Sequence, residues 1–363
     1  MLLTAALLAL AAPPDSLAPP RHLALLPVPI VFYTPETRFG YGAAATATLR
    51  FRRDDDYPAA RPSQLTLGVA YTQNQQLLLY LPFKVFYQQN RYYTYGEVGY
   101  YRYSYLFFGI KENAVPAELY SVNYPRVRLN AFRRVGPGNG RGQLYVGLRY
   151  QYEDYDVTNV EAGGNLASGA VPGGRGSRLN GGGLGVFYDS RDNILFPTKG
   201  VSADFTLLPR NQAVGAGPQG QTTYFDRYEA DVASYHALSP HAVLALNYFA
   251  SFTVGTAPFN ALSQLGGGRR MRGYYAGRFR DQNAALLQSE LRFDVYRRLG
   301  AVVFGAVGTL GDAQTPLRLT APKAAYGAGL RFTFNRRDHL NIRADYALGR
   351  ASSGFYLTVG EAF

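Results

Sequence analysis

Apolar and polar residues alternate with a period of two along most of the chain, and that period predicts strands rather than helices. From Gln288 the polar set Gln288, Glu290, Arg292 and Asp294 falls on one face, while Leu287, Leu291, Phe293 and Val295 fall mainly on the other. From His339 the same split sets His339, Asn341, Arg343 and Asp345 against Leu340, Ile342, Tyr346 and Leu348. Segment 241–254 repeats it with Leu244, Leu246, Tyr248, Phe252 and Val254 on the apolar side. Counting back from the last residue, the pattern predicts strands near 353–363, 339–350, 323–335, 300–310, 283–297, 241–255, 223–237, 199–209, 178–190, 141–157, 119–134, 91–105, 76–87, 63–73 and 39–51.

A soluble sandwich also alternates. Here the strands repeat at 10 to 15 residues, tyrosine is abundant at 30 residues, and the chain closes on Tyr356, Leu357, Thr358, Val359 and Phe363. Those features predict an all-β fold, a transmembrane antiparallel β-barrel whose tyrosines form girdles at the membrane interfaces. A barrel also reconciles 47% hydrophobic residues with the lack of an apolar run of helix-spanning length after residue 12. The first twelve residues, MLLTAALLALAA, have the length of a signal-peptide core. Residues 1–18 are therefore expected to be an export signal cleaved after Ala11 or Ala18, and 25–363 the outer-membrane barrel.

Barrels of this kind have an even strand count, with both chain ends at the periplasmic rim. The segment LLPVPIVFYT at 25–34 supplies the sixteenth strand, with a periplasmic tail as the other assignment. Pro27 and Pro29 each remove a ladder donor, and Gly360 weakens the last strand, so a weak seam is expected where the first strand meets the last, whose end is Phe363. Turns at 238–240, 298–299 and 336–338 then lie on the periplasmic side. Loops at 106–118, 158–177, 210–222, 256–282 and 311–322 lie outside. The Gly-, Ala- and Ser-rich segment 158–177 reads as mobile.

Charge refines this picture. The formal net charge is +12, but neither a basic helix nor a zinc spacing points to nucleic acid, and in a barrel the surplus cations line the lumen or meet lipid phosphates. Cysteine is absent, which excludes disulfides and thiolate metal sites. Four histidines are present; His236 and His241 flank a turn and read as solvated turn residues rather than as a metal pair. No G-x-S-x-G or H-E-x-x-H sequence occurs, and no cofactor is expected.

The segment QLGGGRRMRGYYAGRFRDQ at 264–282 packs five arginines into residues 269 to 280, and such a density needs acidic or phosphate partners. Met271, Arg272, Gly273 and Tyr274 resemble the Arg-Gly-Phe/Tyr motif in the sixth extracellular loop of BamA/TamA-type outer-membrane assembly barrels, also called bacterial surface antigen-like barrels. The resemblance implies that the loop folds into the lumen and that Arg272 meets Glu290 on the following strand. VVFGAVGTLGD resembles the next strand of that family, but Ala306 stands where a second wall acid is expected. A single-acid latch is thus implied, with Asp294, Arg343 and Asp345 as a supporting network; the other reading is an exposed cluster binding lipopolysaccharide phosphates. YDSRDNILFPTKG, with Asp189, Arg191, Asp192, Asn193, Pro197 and Gly200, resembles a periplasmic turn of the same superfamily. The segments FYTPETRFGYGAAA and YLTVGEAF resemble its short members, those lacking polypeptide-transport-associated (POTRA) domains.

From about Pro27 to Phe363 the resemblance implies outer-membrane protein assembly, insertion or translocation through a lateral seam. The alternative is a passive pore or structural protein that keeps only the scaffold. Expected partners are outer-membrane lipids and lipopolysaccharide, with nascent barrel clients or periplasmic proteins beyond them. An enzyme is not expected.

Overall fold

In a computed structural model of the chain, residues 23–52, 61–111, 116–136, 142–217, 220–335 and 340–363 are described. The expected signal segment, with its cleavage positions at Ala11 and Ala18, and His339 lie outside the described residues. The chain runs through β1 (Leu23–Thr34), β2 (Arg38–Leu49), β3 (Ser63–Thr72), β4 (Leu77–Tyr87), β5 (Tyr92–Phe107), β6 (Glu118–Val135), β7 (Gln143–Val160), β8 (Ser177–Asp189), β9 (Gly200–Val214), β10 (Thr223–Ser239) and β11 (Ala242–Gly255). A long connection carries the short strands β12 (Ser263–Leu265) and β13 (Phe279–Asp281). The wall then resumes with β14 (Asn283–Tyr296), β15 (Leu299–Gly311), β16 (Lys323–Asn335), β17 (Leu340–Gly349) and β18 (Ser352–Val359).

Each wall strand pairs antiparallel with its neighbour. β11 pairs directly with β14, and β18 returns to β1, which closes a barrel of sixteen strands. β12 and β13 pair only with each other, as a hairpin inside the connection between β11 and β14. The fold class read from the alternation is therefore the fold observed, including β1 over the proline-bearing segment. The final strand is shorter than the alternation suggested. It stops at Val359 rather than running to 363, because Gly360 takes a φ of +82°, a left-handed backbone that breaks the pleat.

Burial is inverted relative to a soluble protein. Leu67, Leu148 and Leu330 are more than 60% exposed on the outer wall, whereas Glu290 and Asp345 on the inner wall are fully buried. Two-residue alternation produces this directly, since it sends one residue set to lipid and the other to the lumen.

The lumen is filled unevenly. Along β5 to β7, Tyr101, Tyr103, Tyr105, Tyr120, Tyr124 and Tyr155 point inward and form one buried cluster with Phe107 and Phe259. Tyrosine therefore serves as lumen filling as well as girdle, the outer girdle role falling to residues such as Tyr41, Tyr92 and Tyr296. Hydroxyls pair across the inner wall, Tyr105 with Tyr124 and Tyr120 with Tyr155, each at 3.1 Å. Segment 158–177, expected to be mobile, is instead strand at both ends and tied down between them. Glu118 accepts from the Asn165 side chain at 2.6 Å and from the Leu166 amide at 3.2 Å, and Leu166 packs into the tyrosine cluster.

Candidate functional site: an arginine loop in the lumen

The connection between β11 and β14 starts at the rim opposite the chain ends and descends into the barrel. Phe259 anchors it, edge-on to Phe107 and Tyr120 at 5.6 and 5.5 Å. The β12–β13 hairpin carries the chain inward in the register Ser263 to Asp281, Gln264 to Arg280 and Leu265 to Phe279. At its tip, the Gly267 amide donates to the Tyr274 carbonyl at 2.8 Å, which bends Arg269 to Tyr274 into a tight arch. Gly273 has a φ of +102°, and a Cβ there would lie 2.9 Å from the Leu348 carbonyl carbon on β17, so the arch closes on the wall only with glycine.

The structure places Arg272 between two wall carboxylates. One guanidinium nitrogen meets Asp345 on β17 at 2.5 Å, another pairs closely with Glu290 on β14, and the guanidinium lies 3.5 Å over the Phe304 ring. The single-acid expectation is corrected here. Ala306 leaves the second acid missing from β15, and Asp345 supplies it from two strands further along. Asp294 takes no part, being solvent-exposed at the rim beside His241 at 3.6 Å.

The pairing continues beyond the arginine. Glu290 also binds Arg292 at 2.7 Å; Arg292 reaches Glu361 at 3.8 Å; Glu361 binds Arg331 at 2.9 Å; and Arg331 returns to Asp345 at 2.5 Å. Three arginines and three carboxylates thus alternate around a closed, buried ring. Arg343 flanks it, 3.7 Å from Asp345 and hydrogen-bonded to the Gly268 carbonyl of the loop at 3.3 Å. Every carboxylate in the ring has at least two cationic partners, which is the condition under which buried charges are tolerated.

Tyr274 is buried beside the ring, donating to the Ala324 carbonyl at 2.9 Å and accepting from the Arg350 amide at 2.7 Å. Tyr356 on β18 bridges to the arch, accepting from the Gly273 amide at 3.1 Å and donating to the Tyr274 carbonyl at 3.3 Å. Arg269 and Arg270 share Asp231 at 2.9 and 3.0 Å. Arg270 lies over Phe249 and Arg280 over Phe259. The cluster therefore finds its anions and rings largely inside the protein. Past the arch, the Ala276 amide donates to Glu36 in the β1–β2 turn at 2.7 Å, and burial pushes that carboxyl up.

The turn motif sits apart, between β8 and β9. Asp189 is buried and bound by Arg191 at 2.9 Å and Arg61 at 3.3 Å. Asp192 accepts from the amides of Asn193, Thr198 and Lys199, and Asn193 accepts from those of Leu195 and Phe196. Burial opposes ionisation of Asp192, but the Thr198 hydroxyl and these amides outweigh it and hold its carboxyl below the usual range. Pro197 is buried in the turn, and Gly200 begins β9. The motif builds a turn and does not meet the loop.

The seam has its own geometry. β1 shares twelve residue pairs with β2 but, among the described residues, a single one with β18, Tyr33 opposite Leu357. Pro27 and Pro29 lie in β1 opposite Ala45 and Ala43 of β2. Gly360 lies beyond β18 rather than in it, and Phe363 turns inward beside Ala233 and Tyr235. Side chains close the remainder: Tyr33 contacts Phe355 at 5.6 Å outside, while Ile30, Phe32 and Val359 share the buried cluster inside.

His236 and His241 are exposed, and among the described residues no group of three or more His, Asp or Glu side chains is placed to hold a metal ion. Alternation had put Glu290, Arg343 and Asp345 on the lumen face. Two further residues complete the site: Arg331 obeys the same inward parity, whereas Glu361 lies past the strand, where alternation gives no direction.

A closed sixteen-strand wall with an apolar exterior and a charged interior defines an outer-membrane β-barrel. Residues 29–363 match the Omp85 superfamily domain, and the chain belongs to that superfamily, whose general role is in outer-membrane protein biogenesis and translocation. Among solved structures, BamA from Haemophilus ducreyi lacking POTRA domains 1–3 aligns at 14% identity and a TM-score of 0.58, over 93% of this chain and 70% of that one. CdiB from Acinetobacter baumannii aligns at 14% identity and 0.58, over 94% and 60%, and CdiB from Escherichia coli at 10% and 0.62, over 94% and 63%. The chain thus spans less than two thirds of either CdiB protein. No curated protein matches.

Proposed function

We propose that the chain assembles or translocates outer-membrane proteins through a lateral seam between β1 and β18, with loop 264–282 held in the lumen by Arg272, Gly273, Tyr274 and Glu290 as a latch. The supporting observation is the single Tyr33–Leu357 pair. A wall strand with a dozen partners on one side and one on the other is an edge strand awaiting a partner, and an edge is where a client strand adds by β-augmentation. The partners that fit are nascent barrels, any periplasmic protein that delivers them, and the surrounding lipid and lipopolysaccharide. The buried tyrosine cluster and the descended loop fill much of the lumen, which argues against a standing pore.

The test is a disulfide across the seam. Opposed strand residues have Cα atoms about 4.5 to 5.5 Å apart, within disulfide reach, so Tyr33→Cys with Leu357→Cys can crosslink without moving the backbone. The chain has no native cysteine to compete. Crosslinking is expected to abolish complementation of the deletion phenotype, reversibly on reduction, with surface level unchanged. Full complementation by a fully crosslinked barrel would overturn the gate and leave the scaffold or pore.

A further inference from the structure

The charged ring contains one carboxylate outside the wall strands. Glu361 follows Gly360, whose left-handed turn directs residues 360–363 into the barrel instead of along it. The Gly360 amide donates to the Asn341 carbonyl at 2.8 Å, the Asn341 side chain donates to Glu361 at 2.9 Å, and Arg292 donates to the main-chain oxygen of Phe363 at 3.1 Å. The Arg292 guanidinium also lies 5.5 Å from the Phe363 ring centre. Residues 360–363 are therefore tied to β14, β16 and β17 across the lumen side.

We propose that residues 360–363 are a bolt that holds the end of the last strand to β14, β16 and β17, coupled to the loop through the ring, so that withdrawal of Arg272 and release of the tail are one event. The proposal rests on the lateral-seam reading. Arg292 and Arg331 are the only ring residues that hold Glu361, and each also holds a carboxylate bound by Arg272. When Arg272 leaves, Glu290 loses one of its two arginines and Asp345 one of its three, and the two carboxylates draw Arg292 and Arg331 toward themselves. Glu361 is then a buried carboxylate with weakened partners, and the rim offers it water. The converse follows by linkage: without the Glu361 charge, Arg292 and Arg331 serve Glu290 and Asp345 more fully, and the hold on Arg272 weakens by the same coupling.

Two single-cysteine reporters test this in the whole barrel reconstituted in lipid vesicles. Ala362→Cys reports the buried tail, and Gly268→Cys reports the loop, where a Cβ meets Tyr356 at an ordinary 3.4 Å. The readout is the rate of modification by a water-soluble maleimide. Arg272→Ala is expected to accelerate the reaction of the tail reporter at least tenfold, although Arg272 does not touch the tail; Glu361→Gln is expected to accelerate the loop reporter by a similar factor. Arg272→Lys, which keeps the charge but cannot bridge two carboxylates as a fork, repeats the test should the alanine variant fold poorly. If each substitution accelerates only the reporter on its own segment, the coupled bolt is wrong. The outcome is separable from that of the gate. Coupled reporters with a crosslinked barrel that still functions discard the gate and keep the bolt, whereas independent reporters with an inactive crosslinked barrel do the reverse.

Discussion

Removing Arg272 and removing Glu290 cut the same ion pair, yet the ring makes them unequal. The site holds four arginines, Arg272, Arg292, Arg331 and Arg343, against three carboxylates, Glu290, Asp345 and Glu361. Arg272→Ala leaves three against three, with Arg292 still on Glu290 and Arg331 still on Asp345. The lost contacts are two charge-assisted hydrogen bonds and a face-on contact with Phe304. Orphaning a buried pair outright costs about 3 to 5 kcal/mol; with both carboxylates still partnered, a loss near the lower end, roughly 3 kcal/mol, is expected. Glu290→Gln leaves four cations facing two anions in a site with no exposure, so repulsion adds to the lost bonds, and the cost should reach the upper end of that range, about 5 kcal/mol. The assay is the temperature at which the folded band on a cold gel converts to the unfolded one. Both variants should convert earlier than the parent, Glu290→Gln earlier than Arg272→Ala, with Asp345→Asn close to Glu290→Gln. Equal midpoints for the parent and both principal variants would refute a latch formed by burial. The reverse order would refute the charge argument while leaving the latch.

Cysteines at Gly164, Gly217 and Ala313 should react with an impermeant thiol reagent on intact cells, because their loops share the rim opposite Leu23 and Val359, while a cysteine at Ser239 should react only after permeabilisation; the opposite labelling would invert the orientation. Asp192→Asn should lower the conversion temperature slightly at neutral pH, by less than about 1 kcal/mol since the turn is solvated. Because the folded carboxyl is held below its unfolded value, the stabilisation is present above the unfolded pKa and is lost as pH falls through the folded one. The difference between parent and variant should therefore vanish in strong acid, and its persistence there would show that the Asp192 charge is not what stabilises the turn.

Alternation, with the even count such barrels keep, determined the number of strands and the inward positions of Glu290, Arg343 and Asp345, because a two-residue period is a local property of the pleat, whereas the descent of the loop was implied only by the resemblance of its Arg-Gly-Tyr segment to a family motif. The even count also placed Pro27 and Pro29 in the first strand. Only the tertiary structure decided that Asp345, not a residue on β15, stands beside Glu290 on Arg272, since that choice depends on the depth to which the arch reaches across the lumen. It likewise turned tyrosines expected at the membrane interface into lumen packing, and it brought Glu361 back from beyond the last strand to close the ring. Contacts across a barrel join residues many strands apart, and each is set by curvature, strand stagger and loop length together, quantities that no window of sequence carries.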